Sequence, residues 1–364
     1  MTTRNTILLA VLGVLAVAGV LIGILHTPGK MPEERIPPGA HPGSSGQAIT
    51  PRPQHAAGRE RRPIEFHQIA SIGSVGEAPL MMPLHVRMDA AECAYVLDWS
   101  ERCVKKYGTR GEFLMQFGYG EGKAPGEFTN LSDFDVAPDG SLWACDPVNG
   151  LVTVFNADGS VRTTMRPERP PHRIALLKAG TCAVMSSPAG TPMFRLHGPA
   201  GQVLAEHGVL MEQQARLGIA LDGRIAPTGA GGFAYAAYRA GILAVTTDAG
   251  DSIAAFRETI EHGGFPDVLV TRSGEAEYAR IDPDAPIVTR SISCVDGDLH
   301  LLLGVDDRPT NAVMDVYDAH TGSYRFSYDL PVDAVAACVS RTRLAVVSDT
   351  TVTLWERIEH PSVR

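Results

Sequence analysis

Aromatic residues make up only 6% of this chain, and three of its 364 residues are tryptophan. So few aromatics suit a fold of short strands and many turns. The six cysteines, at positions 93, 103, 145, 182, 294 and 338, include no C-x-x-C pair and no Cys/His grouping at zinc spacing. A disulfide framework or zinc finger is not written here, and thiols that act as small buried hydrophobes are the expected state. Cys294 and Cys338 occupy similar places in successive repeats, which leaves one bridge to test in three dimensions. Positive charge is also short. The formal net charge is −9, which lacks the basic face of a general nucleic-acid binder, so no nucleic-acid partner is expected. No G-x-S-x-G, H-E-x-x-H or EF-hand loop occurs. Gly118-Tyr119-Gly120-Glu121-Gly122-Lys123 fails as a phosphate loop: Ala124 stands where Ser or Thr is required, and no helix follows. No cofactor is called for.

Glycine (37) and proline (26) are abundant, and the apolar runs between them are short. The clearest stretch runs from Gly118 to Gly159. Phe134-Asp135-Val136-Ala137 meets a turn at Pro138-Asp139-Gly140. Leu142-Trp143-Ala144-Cys145 ends at Asp146, and Leu151-Val152-Thr153-Val154-Phe155 ends at a second Asp-Gly turn. Short β-rich runs with this punctuation predict a meander of antiparallel strands. The template also occurs upstream: Asp98 and Asp146 stand 48 residues apart, as do Gly111 and Gly159. A four-strand repeat of about 40–50 residues is the pattern of a β-propeller blade.

Two motifs carry a family resemblance. Gly120-x-Gly122-x-x-Pro125-Gly126-Glu127-Phe128 precedes the first strand of this unit, and Asp146-x-x-Asn149-x-Leu151-Val152-x-Val154-Phe155 crosses its third. In these two blades, about a third of the chain, the sequence resembles NHL-repeat propellers. The Arg usual in that family five residues after the Asp is replaced by Cys103 and Leu151. The resemblance implies an interaction platform. Similar six-bladed propellers that hold Ca²⁺ or Zn²⁺ in the axial channel act as lactonases or amidating lyases, so a metal-dependent hydrolase or lyase is the alternative.

The expected fold is all-β: a six-bladed propeller over 64–360, with blades near 83–117, 131–165, 173–206, 217–257, 288–328 and 333–356. An insertion is expected at about 258–286. Blade six supplies three strands, and Phe66–Ile72 is left over. Letting that N-terminal strand complete blade six closes the ring.

Ahead of the propeller, residues 7–25 are 19 uncharged apolar positions, long enough to span a hydrocarbon layer of about 30 Å. An N-terminal transmembrane anchor over 1–26 is expected, with a cleaved signal peptide as its rival. Flanking charge gives no orientation, since Arg4 lies on one side and Lys30 and Arg35 on the other. A short tail before a long apolar run acts as an export signal, which places the propeller outside the cytoplasm on a single-pass membrane protein. Residues 27–63 hold eight prolines and almost no large apolar residue, and read as a disordered tether reaching roughly 30–35 Å.

Aligned on their second strands, the blades place His85, Asp133, Arg173, Arg224, Arg290 and, with one gap, Asp333 near the start of each inner strand. That position lines the mouth of an axial channel. Guanidinium forks suit carboxylate or phosphate. The competing reading has the arginines pairing with Asp133, Asp135 and Asp333 only to satisfy a polar channel. His172, beside Arg173, faces the same mouth. The expected activity is thus binding of a protein, peptide or glycan outside the cytoplasm, with an anionic group at the mouth.

Overall fold

The computed structural model describes residues 33–36, 51–54, 58–73, 75–186, 193–207, 218–261, 265–273, 276–304 and 312–358. Six four-stranded antiparallel sheets stand around one axis. Blade one is Pro83–Met88, Ala94–Asp98, Cys103–Tyr107 and Phe113–Phe117. Blade two is Asp133–Val136, Leu142–Asp146, Leu151–Phe155 and Val161–Met165. Blades three, four and five begin with inner strands Pro171–Leu176, Gly223–Pro227 and Thr289–Val295. Blade six takes Ala336–Val339, Arg343–Ser348 and Thr351–Ile358 from the C-terminal end of the described chain. Its fourth strand is Glu65–Ile72, paired antiparallel with Thr351–Ile358 from Glu65↔Ile358 to Ile72↔Val352. The propeller is six-bladed and is closed by its N-terminal strand.

A blade has two apolar faces, so each space between neighbours must be filled. Six hydrophobic clusters do this, one per space. Tyr95, Leu97, Phe134 and Leu142 fill the space between blades one and two. Ala226, Leu243, Ile292 and Leu301 fill that between four and five. Ile72, Val86, Val96 and Val352 seal blade six to blade one. The last of these explains why closure matters: Ile72, on the borrowed strand, is part of the seal.

The 48-residue repeat has a physical reason at its aspartates. Asp98 accepts the backbone N–H groups of Met81 and Met82 at 2.8 and 3.0 Å. Asp146 accepts those of Thr129 and Asn130 at 2.7 and 3.2 Å. Each carboxylate ends a second strand and fixes the loop that leads into its own blade. Phe128 of the Gly-Glu-Phe motif is buried against Phe155, with ring centroids 6.1 Å apart. Tyr95 is buried in the same inter-blade space.

All six cysteines are free, so the bridge considered for Cys294 and Cys338 does not form. Their places in the blades are similar, but they face different spaces. Cys294 packs between blades four and five, and Cys338 between blades six and one.

The stretch read as a disordered tether, 27–63, is in part laid on the propeller. Glu33–Ile36 adds a third strand to the hairpin Val268–Ser273 and Ala276–Ile281 inside the insertion. Arg52 exchanges backbone hydrogen bonds with Phe256 and Glu258 at the outer edge of blade four. Glu60 and Arg62 do the same with Ser327 on blade five. Prolines remove donors, but the N–H groups that remain find unpaired outer edges. The apolar run 7–25, expected as an anchor, lies outside the described residues. Among the described residues no helix is long and apolar enough to cross a membrane.

Candidate functional site

The innermost strands touch in a closed circle, each meeting the next and blade six meeting blade one. Their inward edges have no sheet partner, so their N–H groups need acceptors from elsewhere. Neighbouring blades supply them. Asp133 Oδ2 accepts the N–H of Ile174 at 3.1 Å, and Asp135 Oδ2 that of Leu176 at 2.7 Å. Ser291 and Ser293 accept those of Ala337 and Val339 at 3.1 and 3.2 Å. Two polar side chains per strand, two residues apart, follow from the alternation of a β-strand.

Above this lacing the charges gather. Arg173 donates from Nε to the carbonyl of Gly223 at 2.9 Å and from Nη1 to that of Ser132 at 3.0 Å. Its Nη2 lies 3.4 Å from Asp222, which also meets His172 Nε2 at 3.3 Å. Burial opposes charge on Asp222, but Arg173 and His172 outweigh it and hold that carboxyl well below the usual range. Arg224 donates from Nε to the carbonyl of Arg290 at 3.2 Å, and among the described residues it makes no ion pair. Burial, with Arg173 nearby, pushes Arg224 down to about 10.

Arg87 was not among the expected residues. It stands two positions beyond His85 on the same strand, and that period-2 spacing was the signal available. Its Nε donates to the carbonyl of Phe134 at 3.0 Å. Its Nη2 reaches the carbonyl of Ile225 on blade four, across the axis, at 3.2 Å. Asp135 and Asp133 lie 3.6 and 3.9 Å away and keep it charged against its burial. Arg87 thus forms a floor across the channel.

His85 Nε2 lies 3.5 Å from Asp133 Oδ1, too far for a good hydrogen bond. Among the described residues, both ring nitrogens of His85, Oδ1 of Asp133 and the hydroxyl of Thr289 are buried and find no hydrogen-bond partner. Burial, then the charges of Arg87, Arg224 and Arg173, hold His85 well below its ordinary value, so it is neutral.

Of the six expected mouth residues, the structure brings His85, Asp133, Arg173 and Arg224 together, and joins Arg290 to them through its backbone. Asp333 stands apart. It is exposed and precedes the inner strand of blade six, and its carbonyl accepts the hydroxyl of Ser348. That inner strand, Ala-Ala-Cys-Val, brings no charge to the axis. Asp222 takes the acidic place instead. It lies just ahead of a strand, outside the column of strand starts. The arginines pair with Asp222, Asp133 and Asp135 in part, and Arg224 is left over. Among the described residues no group of three His, Cys, Asp or Glu side chains is placed to hold a metal ion.

No family model matches the chain, and no curated protein does. Solved structures do match. A candidate exported protein of Bacteroides fragilis superposes with TM-score 0.53 at 13% identity, over 86% of this chain and 100% of that one. Virginiamycin B lyase of Staphylococcus aureus gives 0.52 at 10% identity, over 81% and 100%. A streptogramin B lyase gives 0.51 at 11%, over 79% and 98%. At these identities the likeness carries the six-bladed fold, and function must be argued from the site.

Proposed function

We propose that this chain is a binding module: an NHL-type propeller, tethered to a membrane by residues 7–25 and held outside the cytoplasm. Its axial mouth receives an anionic group of a protein, peptide or glycan. One observation carries the reading. Arg224 stands half-buried at the mouth beside Arg173, and among the described residues no carboxylate comes within ion-pair distance of it; Asp133 and Asp222 act on it only from farther off. A half-buried guanidinium whose counter-charges are held at a distance is incompletely balanced, and an incoming carboxylate or phosphate completes it. The location rests on the apolar run alone.

The test uses the full chain in detergent. Acetate, phosphate and sulfate are titrated against the wild type and Arg224→Ala. Binding that weakens about tenfold or more in the variant is the expected result. Equal binding by the two proteins would remove Arg224 from the site. Metal analysis of the same preparation addresses the hydrolase or lyase alternative, which requires a stoichiometric ion.

A further inference from the structure

The mouth is short of two opposite things. On the blade-four side Arg224 lacks an acceptor with negative charge. On the side of blades one and two, buried acceptors lack a donor: Asp133 Oδ1 and at least one nitrogen of His85. A neutral imidazole carries one N–H. If that proton sits on Nε2, it points at Asp133 and Nδ1 is left as an empty acceptor. If it sits on Nδ1, Nε2 faces a carboxylate oxygen, acceptor to acceptor. Either tautomer calls for an added donor. Acetate or chloride would meet only the first need.

We propose, building on the anion reading above, that the mouth is shaped for a small hydroxy-carboxylate: the carboxylate on Arg224 and a hydroxyl, two to four atoms away, donating its one proton to the acceptor of the Asp133–His85 pair that the imidazole tautomer leaves open. The gap sets the size. Arg87 alone bridges blade one to blade four, so the facing inner strands are no farther apart than one extended arginine side chain. The charge balance sets the donor. Arg87, Arg224 and Arg173 all oppose positive charge on His85 and offset the pull of Asp133, so a neutral hydroxyl suits the place better than an ammonium group.

Acetate, glycolate, glycine and glucuronate are titrated against the full chain in detergent, by calorimetry and by thermal shift. Glycolate or glucuronate should bind about tenfold or more tighter than acetate, the margin of a hydrogen bond to a charged group. Glycine should gain nothing over acetate. Whether glycolate or glucuronate binds more tightly tells a free hydroxy acid from a sugar acid, and either supports the proposal. Acetate equal to both would overturn it while leaving the anion site standing. Glycine tighter than glycolate would overturn it in favour of an ammonium donor. No binding by any of the four would overturn both readings. Asp133→Asn supplies a second check. The amide oxygen still accepts the N–H of Ile174, while its NH₂ turns an acceptor toward His85 into a donor. Glycolate should then fall to the affinity of acetate; an advantage retained in the folded variant would sink the proposal.

Discussion

Two buried polar clusters in this propeller have opposite character. One lies under the N-terminal strap at blade five. There Arg59 places Nε and Nη2 on the two oxygens of Asp315, at 3.0 and 3.2 Å, and Asp315 is fully buried. Ser327 donates to Asp315 at 2.6 Å, Tyr324 meets Ser327 at 2.8 Å, and Glu60 N–H donates to Tyr324 at 3.1 Å. Arg59 also reaches Glu261, beyond the end of blade four. Every member has a partner. The other cluster is the axial mouth, where His85, Asp133 and Arg224 do not complete one another. A satisfied buried network fixes structure; an unsatisfied one marks a place that something else completes. The strap cluster is therefore a staple, and the axial cluster is the candidate site of the proposal above.

The largest expected effect comes from removing the strand that follows the strap and closes the ring. Deleting Glu65–Ile72 strips blade six of its outer strand and takes Ile72 from the seal with blade one. We expect loss of soluble folded protein, read by size exclusion and circular dichroism. A folded deletion variant of unchanged stability would show that the ring does not depend on the latch.

Next in size is Arg59→Leu. It leaves Asp315 buried and unpaired, with only the Ser327 hydroxyl to help. Losing one partner of a buried pair costs roughly 3–5 kcal/mol. The expected drop is seen in thermal or denaturant unfolding, with anion binding at the axis retained in the folded fraction. A loss below about 1 kcal/mol would mean that the staple is ornamental and that the two clusters do not differ as argued.

How much of this was legible beforehand depends on distance along the chain. The blade repeat was legible because its cause is local: Asp146 holds a loop 17 residues before it. The column of strand starts was legible because strands alternate, and it located His85, Asp133, Arg173 and Arg224. Asp333 falls outside the column because it joins the alignment only through a gap, and blade six has alanine at that place. The strap was not legible. Arg59 and Asp315 are 256 residues apart, and a stretch of prolines and arginines gives no sign of the edge that will receive it. The fates of Cys294 and Cys338 turned on which face of a blade each side chain takes, which similar placement in the repeat did not fix.

Acid sharpens the comparison further. His300 is buried, bonds through Nδ1 to Tyr328 at 3.0 Å, and is pushed by burial, then by Arg357, down to about 3. In the unfolded chain it titrates near 6.5. Between those values the unfolded state holds the extra proton, so stability falls as pH drops from about 6.5 toward 3. The slope is about 1.4 kcal/mol per pH unit, roughly 2 kcal/mol lost by pH 5. His300→Gln should flatten the stability profile of the full chain by one such slope in that window. An unchanged profile would show that His300 protonates in the folded state as readily as in the unfolded one.

The smallest expected effect is the one that separates the clusters most sharply. His85→Leu at pH 7 removes two buried ring nitrogens that have no partners and replaces them with a side chain of similar volume. The desolvation already incurred by those atoms is released, and the lost contact with Phe134, whose ring centroid is 5.8 Å away, is largely restored by aliphatic packing. The net change in unfolding free energy should lie within about 1 kcal/mol of zero and fall on either side. Measured beside Arg59→Leu under the same denaturant, a near-zero value for His85 and a large one for Arg59 would separate site from staple by their energetics alone. A loss at His85 as large as that at Arg59 would reveal a partner for the imidazole within the fold, and the axial mouth would then be one more structural network.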